Sequence, residues 1–406
     1  MSQLIFTKVS APSTPAASKS TIYVDTTTRR VTQLDDNGVI SILNNDGLMD
    51  RNILTNGGLY IQQRVATAAT AIPSVSTTTR AGQVADGWAV TTGNTTTTSW
   101  TQVDTNGAAE TGLLARYYGR ITQATNAAKF IFSQWILASD MNHLRGQKVR
   151  LSLKLKQFVG SNQTYKLGLL RLTSAGTVDT SPTFISAIGA SGTNPTWGTN
   201  LSAISPDASP TGENGTINGS YLEITSTAAW VRSSAVFTIP TDCKNLVFVL
   251  IKDATGGTTD SVGIAELQMT QGPDIVDFIP TPLPEDLIRC QRRFCKTFAL
   301  TTVPVQNAGV NTGELKWTKV VAGATAGRSQ WQFPVQMWKT PQTITFFNPA
   351  AANAQVRDET NTVDCSATTA VGTTDRQVGI TYTGNAATVA EGLMGVHITA
   401  DSEIVA

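Results

Sequence analysis

Short runs of alternating apolar and polar residues dominate this chain, and loops rich in Gly, Asn, Ser and Thr separate them. The clearest run is LSLKLKQF, which places Leu151, Leu153 and Leu155 on one face of a strand and polar residues on the other. This period of two is typical of a half-buried β-strand. Similar runs recur at KFIFSQWIL, YKLGLLRL, AVFTIP, NLVFVLI and GIAELQM. Many short strands without long helical patterns predict an all-β jelly-roll sandwich over residues 51–280.

Two segments of this region stand out. NLVFVLI is apolar throughout, which predicts a central strand covered on both sides. Residues 174–220 are polar and contain four prolines. Loops of that length are uncommon unless they have a function or lie against a neighbour.

One helix is predicted in PEDLIRCQRRFCKTF, after the proline-rich segment IPTPLP. It would link the jelly-roll sandwich to the C-terminal region over residues 281–299. Pro284 suits the first helical position, and acidic residues follow it where the helix dipole favours them. Arg292 and Arg293 fall on the polar side of the amphipathic stripe. They are predicted to be solvated or to form salt bridges at a subunit contact, and a nucleic-acid surface is the less favoured alternative.

Strand patterns return at GELKWTKVV, SQWQFPVQM, QTITFFN, RQVGITYT and GLMGVHITADSEI, which predict an antiparallel β-sandwich over residues 300–406. At the other end, residues 1–50 contain short β-type runs in TIYVDTTTRRVTQLDDNGVISIL, and Asn-Gly between such runs indicates a hairpin. Two hairpin strands are marginal in water, so this segment should be stabilised by other copies or by a docking partner. A disordered tail is the alternative, because the preceding APSTPAASKS has a disordered composition.

Composition excludes several classes of protein. Only 15% of residues are charged and the net charge is +1, so the chain lacks the clustered Lys and Arg of a nucleic-acid binder. Four cysteines, Cys243, Cys290, Cys295 and Cys365, match no zinc pattern, and we expect reduced thiols. The N-terminus lacks a signal-peptide pattern, and no run approaches the ~20 apolar residues of a membrane span. We expect a protein that stays in the cytoplasm unless a particle carries it out.

Catalytic chemistry is poorly represented. His143 and His397 are the only histidines, and each is more often a hydrogen-bonded structural residue in such a context. No nucleophile, phosphate-loop or paired-histidine motif is present. The carboxylates that would suit glycan cleavage are scattered over different elements: Asp86, Asp104, Glu110, Glu223 and Glu266. We therefore expect no catalytic residues, no metal and no cofactor, with glycan hydrolysis as the alternative function.

Sugar binding needs aromatic planes with polar neighbours, because the apolar face of a sugar ring stacks on them. Trp197 in NPTWGTN is the best surface candidate, and Trp100 and Trp88 are the others. For Trp88 and Trp230, packing inside the sandwich is the more favoured interpretation.

Several strings resemble known modules. SAPSTPAASKSTIYVDTTTRRVTQLDDNG is similar to N-terminal attachment modules, and NILTNGGLYIQQR resembles the entry strand of a carbohydrate-binding-module-like jelly roll. ASDMNHLRGQKVRLSLKLK, FTIPTDCKNLVFVLI and GIAELQMTQGPDIVDFIP resemble its central and closing strands, while EDLIRCQRRFCKTF, FPVQMWKTPQTITFFN and HITADSEI resemble a C-terminal module. In this order they resemble the tail-fibre and virion appendage proteins of tailed bacteriophages.

This resemblance implies a structural virion protein assembled in the host cytoplasm. It implies a homo-oligomer, most often a homotrimer, whose N-terminus docks on other phage tail or head proteins, with Ile22, Tyr23 and Val24 as docking candidates and Arg292 and Arg293 as multimer contacts. The later regions would mediate host attachment, with host surface polysaccharide as a partner but neither nucleic acid nor membrane insertion. The alternatives are a virion-associated depolymerase and, less favoured without a signal peptide, a secreted carbohydrate-binding module.

Overall fold

The computed structural model describes residues 51–403 apart from short gaps at 66–69, 73–81, 93–97, 106–109, 111, 124–128, 174, 181–182, 209–213 and 254–258. Of the first 50 residues it describes 8–9, 13–16, 19, 21–25, 31–34 and 40–42. Within these ranges the regular elements are β-strands apart from a four-residue helix, one 3-10 turn and a nine-residue helix. The predicted all-β class is therefore confirmed.

The N-terminal strands form a small sheet of their own. They are β1 (Lys8–Val9), β2 (Thr21–Asp25), β3 (Val31–Leu34) and β4 (Ile40–Ile42), in that order across the sheet. β2, β3 and β4 pair antiparallel in succession, while β1 adds to β2 in parallel. The predicted pairing of the short β-type runs is confirmed, and the turn with Asn37 and Gly38 lies outside the described residues.

The next region is a sandwich of two antiparallel sheets. Its elements are β5 (Thr70–Ile72), β6 (Gln83–Ala85), β7 (Trp88–Thr92), β8 (Thr98–Asp104), β9 (Tyr117–Gln123), β10 (Phe130–Ile136), α1 (Ala138–Met141), β11 (Lys148–Val159), β12 (Thr164–Leu172), β13 (Ile185–Ala187), β14 (Thr196–Trp197), β15 (Leu201–Ile204), β16 (Pro206–Ala208), β17 (Thr216–Asn218), β18 (Tyr221–Thr225), β19 (Val231–Thr238), β20 (Asn245–Lys252) and β21 (Asp260–Gln271).

The eight-stranded sheet has the order β17-β18-β12-β20-β10-β7-β6, and β15 also pairs with β12. The seven-stranded sheet has the order β16-β19-β11-β21-β9-β8-β5. The core lies between them, and Leu151, Leu153 and Leu155 of β11 belong to it, as their alternation predicts. β20 lies between β12 and β10 and is buried at every position, so its prediction as a central strand is also confirmed.

A second apolar cluster covers the outer face of the eight-stranded sheet. Val247, Val249 and Ile251 of β20 point into it, and Phe184 and Ile185 from the polar 174–220 segment close over them. Because an alternating strand has two faces, a wholly apolar one needs cover on both. The long segment therefore lies against this chain's own sheet.

The last region begins with a helix and ends in a long strand. Its elements are α2 (Leu283–Gln291), β22 (Phe294–Lys296), β23 (Leu315–Thr318), β24 (Ala326–Gln332), β25 (Thr343–Phe347), β26 (Arg357–Asp358), β27 (Val363–Asp364), β28 (Ser366–Val371), β29 (Gln377–Thr383) and β30 (Leu393–Asp401). β30 is the hub, because β22, β23, β25 and β26 all pair with it, while β24, β29 and β28 form a separate three-stranded sheet. The boundaries at residues 51, 281 and 300 stay predictions.

The predicted helix is too long at its C-terminal end. It stops at Gln291, and Cys295 lies instead on β22, where it pairs with Ala400 of β30. The helical pattern of the sequence continues through this point, but the backbone groups of β22 are satisfied by the long final strand, which overrides local propensity. Cys290 and Cys295 therefore do not share a helix, although all four cysteines are buried free thiols.

Candidate functional site

Three aromatic rings meet on the outer face of the seven-stranded sheet. On β9, Ile121 points into the core, so alternation turns Tyr118 and Arg120 outward. On β11, the face that carries Lys154 and Lys156 continues to Phe158. Both strands pair with β21, and the two rings therefore approach each other across it.

Trp230 completes the group, which we call the aromatic platform (Tyr118, Phe158 and Trp230). The Tyr118 and Phe158 rings lie 5.6 Å apart between centroids with their planes 11° from parallel. Trp230 meets them edge-on, with its centroid 5.2 Å from that of Tyr118 and 6.0 Å from that of Phe158. Tyr118 is buried beneath, whereas Phe158 and Trp230 are half-buried. The platform therefore presents two partly exposed rings on a fixed base.

Gly263 on β21 makes room for these rings. A Cβ at this position would lie 2.6 Å from the Trp230 ring and 2.7 Å from the Phe158 ring. Non-bonded carbon atoms normally stay about 3.5–4.0 Å apart. A residue without a side chain is thus required for the rings to lie directly on the sheet.

Charged groups form a rim around the platform. The Glu110 carboxylate accepts hydrogen bonds from Trp230 Nε1 at 2.9 Å and from Lys156 Nζ at 2.7 Å. Lys156 Nζ lies 4.6 Å from the Phe158 ring centroid, and the Arg120 guanidinium carbon lies 4.8 Å from it. Burial raises the pKa of Glu110, but hydrogen bonds from Lys156 and Trp230 outweigh it and hold the pKa below its usual range.

This arrangement suits a sugar. The apolar face of a pyranose stacks on an aromatic ring, while ring hydroxyls exchange hydrogen bonds with charged side chains at its edge. The platform offers the ring surface through Trp230 and Phe158, and Glu110, Lys156 and Arg120 offer acceptors and donors beside it.

Trp100 is wrong as a surface candidate, and for Trp88 the favoured interpretation, packing inside the sandwich, is confirmed. The same interpretation is wrong for Trp230, which is half-buried in the aromatic platform. Trp88 and Trp100 are 0% exposed, because both lie between the two sheets. The Trp88 ring stacks on Phe132 with centroids 4.6 Å apart, and the Trp100 ring lies 5.8 Å from the same residue. A ring enclosed on both faces cannot receive a sugar.

Trp197 lies on a different surface from the aromatic platform. It is half-buried against the cluster that covers the eight-stranded sheet, with its ring 5.5 Å from that of Phe184. Its indole Nε1 donates to Tyr221 Oη at 2.8 Å. This placement gives Trp197 a packing role, and sugar binding by its exposed part stays a prediction.

The candidates for docking and for multimer contacts differ in exposure. Ile22 is 49% exposed, whereas Tyr23 is 4% exposed and is therefore wrong as a docking residue; the Val24 side chain lies outside the described residues. Arg293 is also wrong as a multimer contact, because it is buried and donates to the Trp135 carbonyl at 2.9 Å. Arg292 is half-buried and stays a prediction.

His397 and the candidate carboxylates have structural partners, whereas the exposed His143 side chain has no hydrogen bond within the described part of the chain, so its predicted hydrogen-bonded role is not supported. His397 is 0% exposed, burial lowers its pKa, and its ring nitrogens hydrogen-bond Thr297 and Thr312. The five carboxylates each contact different side chains: Asp86 with Gln63, Asp104 with Arg116, Glu110 with Lys156, Glu223 with Lys166 and Glu266 with Lys154. Among the described residues no three His, Cys, Asp or Glu side chains are grouped to hold a metal ion, and no helix has the length and apolarity to cross a membrane.

No protein-family model matches the chain, and no curated protein sequence matches it either. Among solved structures, it is similar to the enzymatically active domain of tailspike protein 4 from bacteriophage CBA120, with 11% identity and a TM-score of 0.30 over 54% of this chain. The chain covers 21% of that tailspike domain.

It is also similar to two carbohydrate-binding modules. TmCBM61, in complex with β-1,4-galactotriose, has 12% identity and a TM-score of 0.29 over 55% of this chain and 99% of the module. The CBM22-1 xylan-binding domain of Paenibacillus barcinonensis Xyn10C has 13% identity and a TM-score of 0.26 over 52% of this chain and 100% of the domain. TM-scores this low support no conclusion about the function of this chain.

Proposed function

We propose that this chain is a glycan-binding adhesion protein that serves as a structural subunit of a tailed-phage particle. The observation that carries the glycan-binding part is the aromatic platform with its charged rim. It combines stacking surface and hydrogen-bonding groups on the outer face of a sheet, which is where an extended polysaccharide can reach them.

The proposed mode of binding is stacking of one sugar ring on the face of Trp230, with the Phe158 ring, whose plane is turned by 80°, in contact with the edge of the sugar. Contacts between two aromatic rings contribute about 0.5–1.5 kcal/mol beyond the area that they bury, and we expect a sugar on one ring to gain no more than this, so a single site binds weakly. Display of several copies on one particle would raise the overall affinity through effective concentration. Weak sites in a multimer fit attachment to a surface that carries many repeats of the same glycan.

The virion part of the proposal is supported by the resemblance of the sequence and by the small N-terminal sheet. The four strands of this sheet are only two to five residues long, and docking on other phage tail or head proteins would stabilise so small a sheet. In this proposal the protein assembles in the host cytoplasm as a homo-oligomer, most simply a trimer, and its location is the virion.

The protein is proposed to bind glycan without cleaving it. Glycosidases need two carboxyl groups about 5–10 Å apart around one bond, whereas Glu110 at the platform is engaged with Lys156 and Trp230. Incubation of the purified chain with host polysaccharide should release no new reducing ends. A steady release of reducing ends would instead support the depolymerase alternative.

The glycan-binding test compares two tryptophans in the full chain. Trp230→Ala removes one of the two partly exposed rings of the platform and should weaken binding to host surface polysaccharide by about tenfold or more. Trp197→Ala is the matched control, because it deletes another half-buried tryptophan with a hydrogen-bonded indole. Loss of binding in Trp197→Ala with full binding in Trp230→Ala would refute the platform and favour the other surface.

The virion test is the position of the protein in images of the intact particle. A tagged subunit should label a fibre or appendage, and sedimentation should show a multimer of the purified chain at about micromolar concentration. A well-folded monomer that is absent from purified particles would contradict the structural role, whatever the outcome of the glycan test.

A further inference from the structure

A cavity of about 200 Å³ lies where helix α2 ends against the sandwich. Three segments of the chain form it: the entry to the sandwich, the turn around α1 and the last turn of α2. Its lining residues are Arg51, Ile53, Thr55, Leu137, Ser139, Asp140, His143, Arg289, Arg292 and Arg293. None of them belongs to the aromatic platform, so this cavity is a separate feature of the molecule.

Positive charge dominates the lining of this cavity, with four guanidinium groups and one carboxylate. Arg289 donates to the carbonyl oxygens of Asn52 at 3.1 Å and Ile53 at 2.6 Å. Arg293 donates to the carbonyl of Trp135. These neutral acceptors satisfy hydrogen bonds without cancelling the charge of the two arginines.

The acidic side chains near these arginines form one close but exposed ion pair and two longer ones. Arg51 pairs with Glu285 at 2.7 Å in an exposed contact, where solvent screens the interaction. The other acidic contacts are longer, with 3.9 Å between Arg289 and Asp286 and 3.7 Å between Arg293 and Glu403. Asp140, the one acid in the lining, accepts from Ser139 Oγ.

The side chains of Arg292 and His143 can donate hydrogen bonds to a ligand in this cavity. Neither side chain has a hydrogen bond or ion pair within the described part of the chain. Arg292 also lines a wider open cleft of about 980 Å³, where the half-buried Trp338 carries the Lys339 ammonium 5.2 Å from its ring centroid. One free guanidinium therefore stands between a cation-lined cavity and a cleft that contains an aromatic ring.

We propose that this cavity binds one acidic sugar residue of a saccharide, with its carboxylate on Arg292, and that the cleft holds the next residue beside Trp338 and Lys339. A guanidinium accepts a carboxylate through two parallel hydrogen bonds, which makes arginine the preferred partner for this group. An engineered cavity of about 150 Å³ holds a benzene ring, so 200 Å³ accommodates one six-membered ring with its substituent. The ligand class is thus a uronic acid or a similar sugar acid.

The test titrates the full chain with sodium glucuronate, glucose and inorganic phosphate, followed by calorimetry or by NMR. Glucuronate should bind at least about tenfold more tightly than glucose, because only the acid uses the guanidinium, and more tightly than phosphate, which leaves the ring space empty. Arg292→Gln should reduce glucuronate binding by about tenfold or more. Arg328→Gln is the matched control, because it removes the same charge from an exposed position on β24.

Four results would overturn the proposal, and each would do so for a different reason. Equal binding of glucose and glucuronate, or no effect of Arg292→Gln, would remove the carboxylate contact. Phosphate that binds as tightly as glucuronate would indicate a simple oxyanion site in place of a sugar site. Trp230→Ala is measured alongside: retained glucuronate binding in this variant supports the cavity, whereas its loss would move the acid to the aromatic platform.

Discussion

At the scale of single residues, the face on which a side chain emerges decides its role. Leu155 and Phe158 lie three residues apart on β11, and this odd spacing places Leu155 in the core and Phe158 on the platform, because successive side chains point to opposite faces. Gly263 has the complementary role, since its missing side chain leaves room for the rings. The platform therefore depends on alternation in two strands and on one absent methyl group.

Gly263→Ala should displace Trp230 and Phe158 and weaken glycan binding by about tenfold, because the added Cβ overlaps both rings. The free energy of unfolding should fall by about 1–3 kcal/mol, the usual cost of overpacking. Gly327→Ala is the control, because its Cβ would lie 2.2 Å from Tyr382 in the separate C-terminal sheet. Binding isotherms and urea unfolding of both variants make the comparison, and equal glycan binding by Gly263→Ala and wild type would contradict the role of the rings.

At the scale of elements, β22 joins the last region to the sandwich. Lys296 on this strand is buried and donates through Nζ to the carbonyls of Gln63 at 2.8 Å, Leu300 at 2.9 Å and Thr302 at 2.5 Å. Burial lowers the pKa of Lys296 to about 8, because its acceptors are neutral carbonyls. One lysine thus connects the entry segment, β22 and the loop that follows it.

The lowered pKa of Lys296 should be visible in the pH dependence of the free energy of unfolding. Its folded-state pKa of about 8 lies below the unfolded value of 10.5, so between these values the unfolded chain binds more protons and stability rises with pH. Lys296→Met lacks this rise and leaves carbonyls without a donor, at a cost of about 1–3 kcal/mol. Urea unfolding between about pH 7 and 9.5 should show the gap between wild type and variant widening with pH.

The exposed Lys148 supplies the control for that experiment, and Lys148→Met should follow the wild-type curve. Parallel curves for wild type and Lys296→Met would show that the pKa of this lysine does not differ between the folded and unfolded states.

At the scale of the whole molecule, the entry to the sandwich is held to the last strand by an ion pair. Arg64 donates to both carboxylate oxygens of Asp401 and lies 4.0 Å from Glu403. Its guanidinium carbon is 3.9 Å from the Phe294 ring centroid, and its side chain is 12% exposed. This contact links parts of the chain that are 337 residues apart in sequence.

Arg64→Leu should uncouple the sandwich from the last region. It leaves Asp401 without its buried partner and Glu403 with Arg293 as its remaining arginine, at a cost of about 3–5 kcal/mol, and calorimetry should then show two unfolding transitions in place of one. The exposed pair between Arg116 and Asp104 is the control, and Arg116→Leu should cost less than about 1 kcal/mol. A single transition with unchanged midpoint in Arg64→Leu would show that the pair does not couple the two regions.

Local pattern alone was enough for several elements of this protein. The period of two in β11, the uniform apolar run of β20 and the short runs of β2, β3 and β4 all predicted strands that the structure contains. Such patterns are readable because the pleat of a strand assigns faces from sequence order by itself. The exposure of Phe158 could also have been predicted from the sequence, since this residue continues the polar face of β11, where an aromatic residue is unusual.

Tertiary structure decided the rest, because it depends on which strands become neighbours. Tyr118, Phe158 and Trp230 lie on separate segments and meet only through the pairing of β9, β21 and β11, with Trp230 immediately before β19. Trp100 looked like a surface residue from its polar flanks, but sheet-on-sheet packing encloses it, together with Trp88, for which packing inside the sandwich was the favoured interpretation. Helix α2 ends at Gln291 because β30 offers β22 a better set of hydrogen bonds than another helical turn. Sequence assigned faces to strands, and only the packed sheets determined which faces remain open to a ligand.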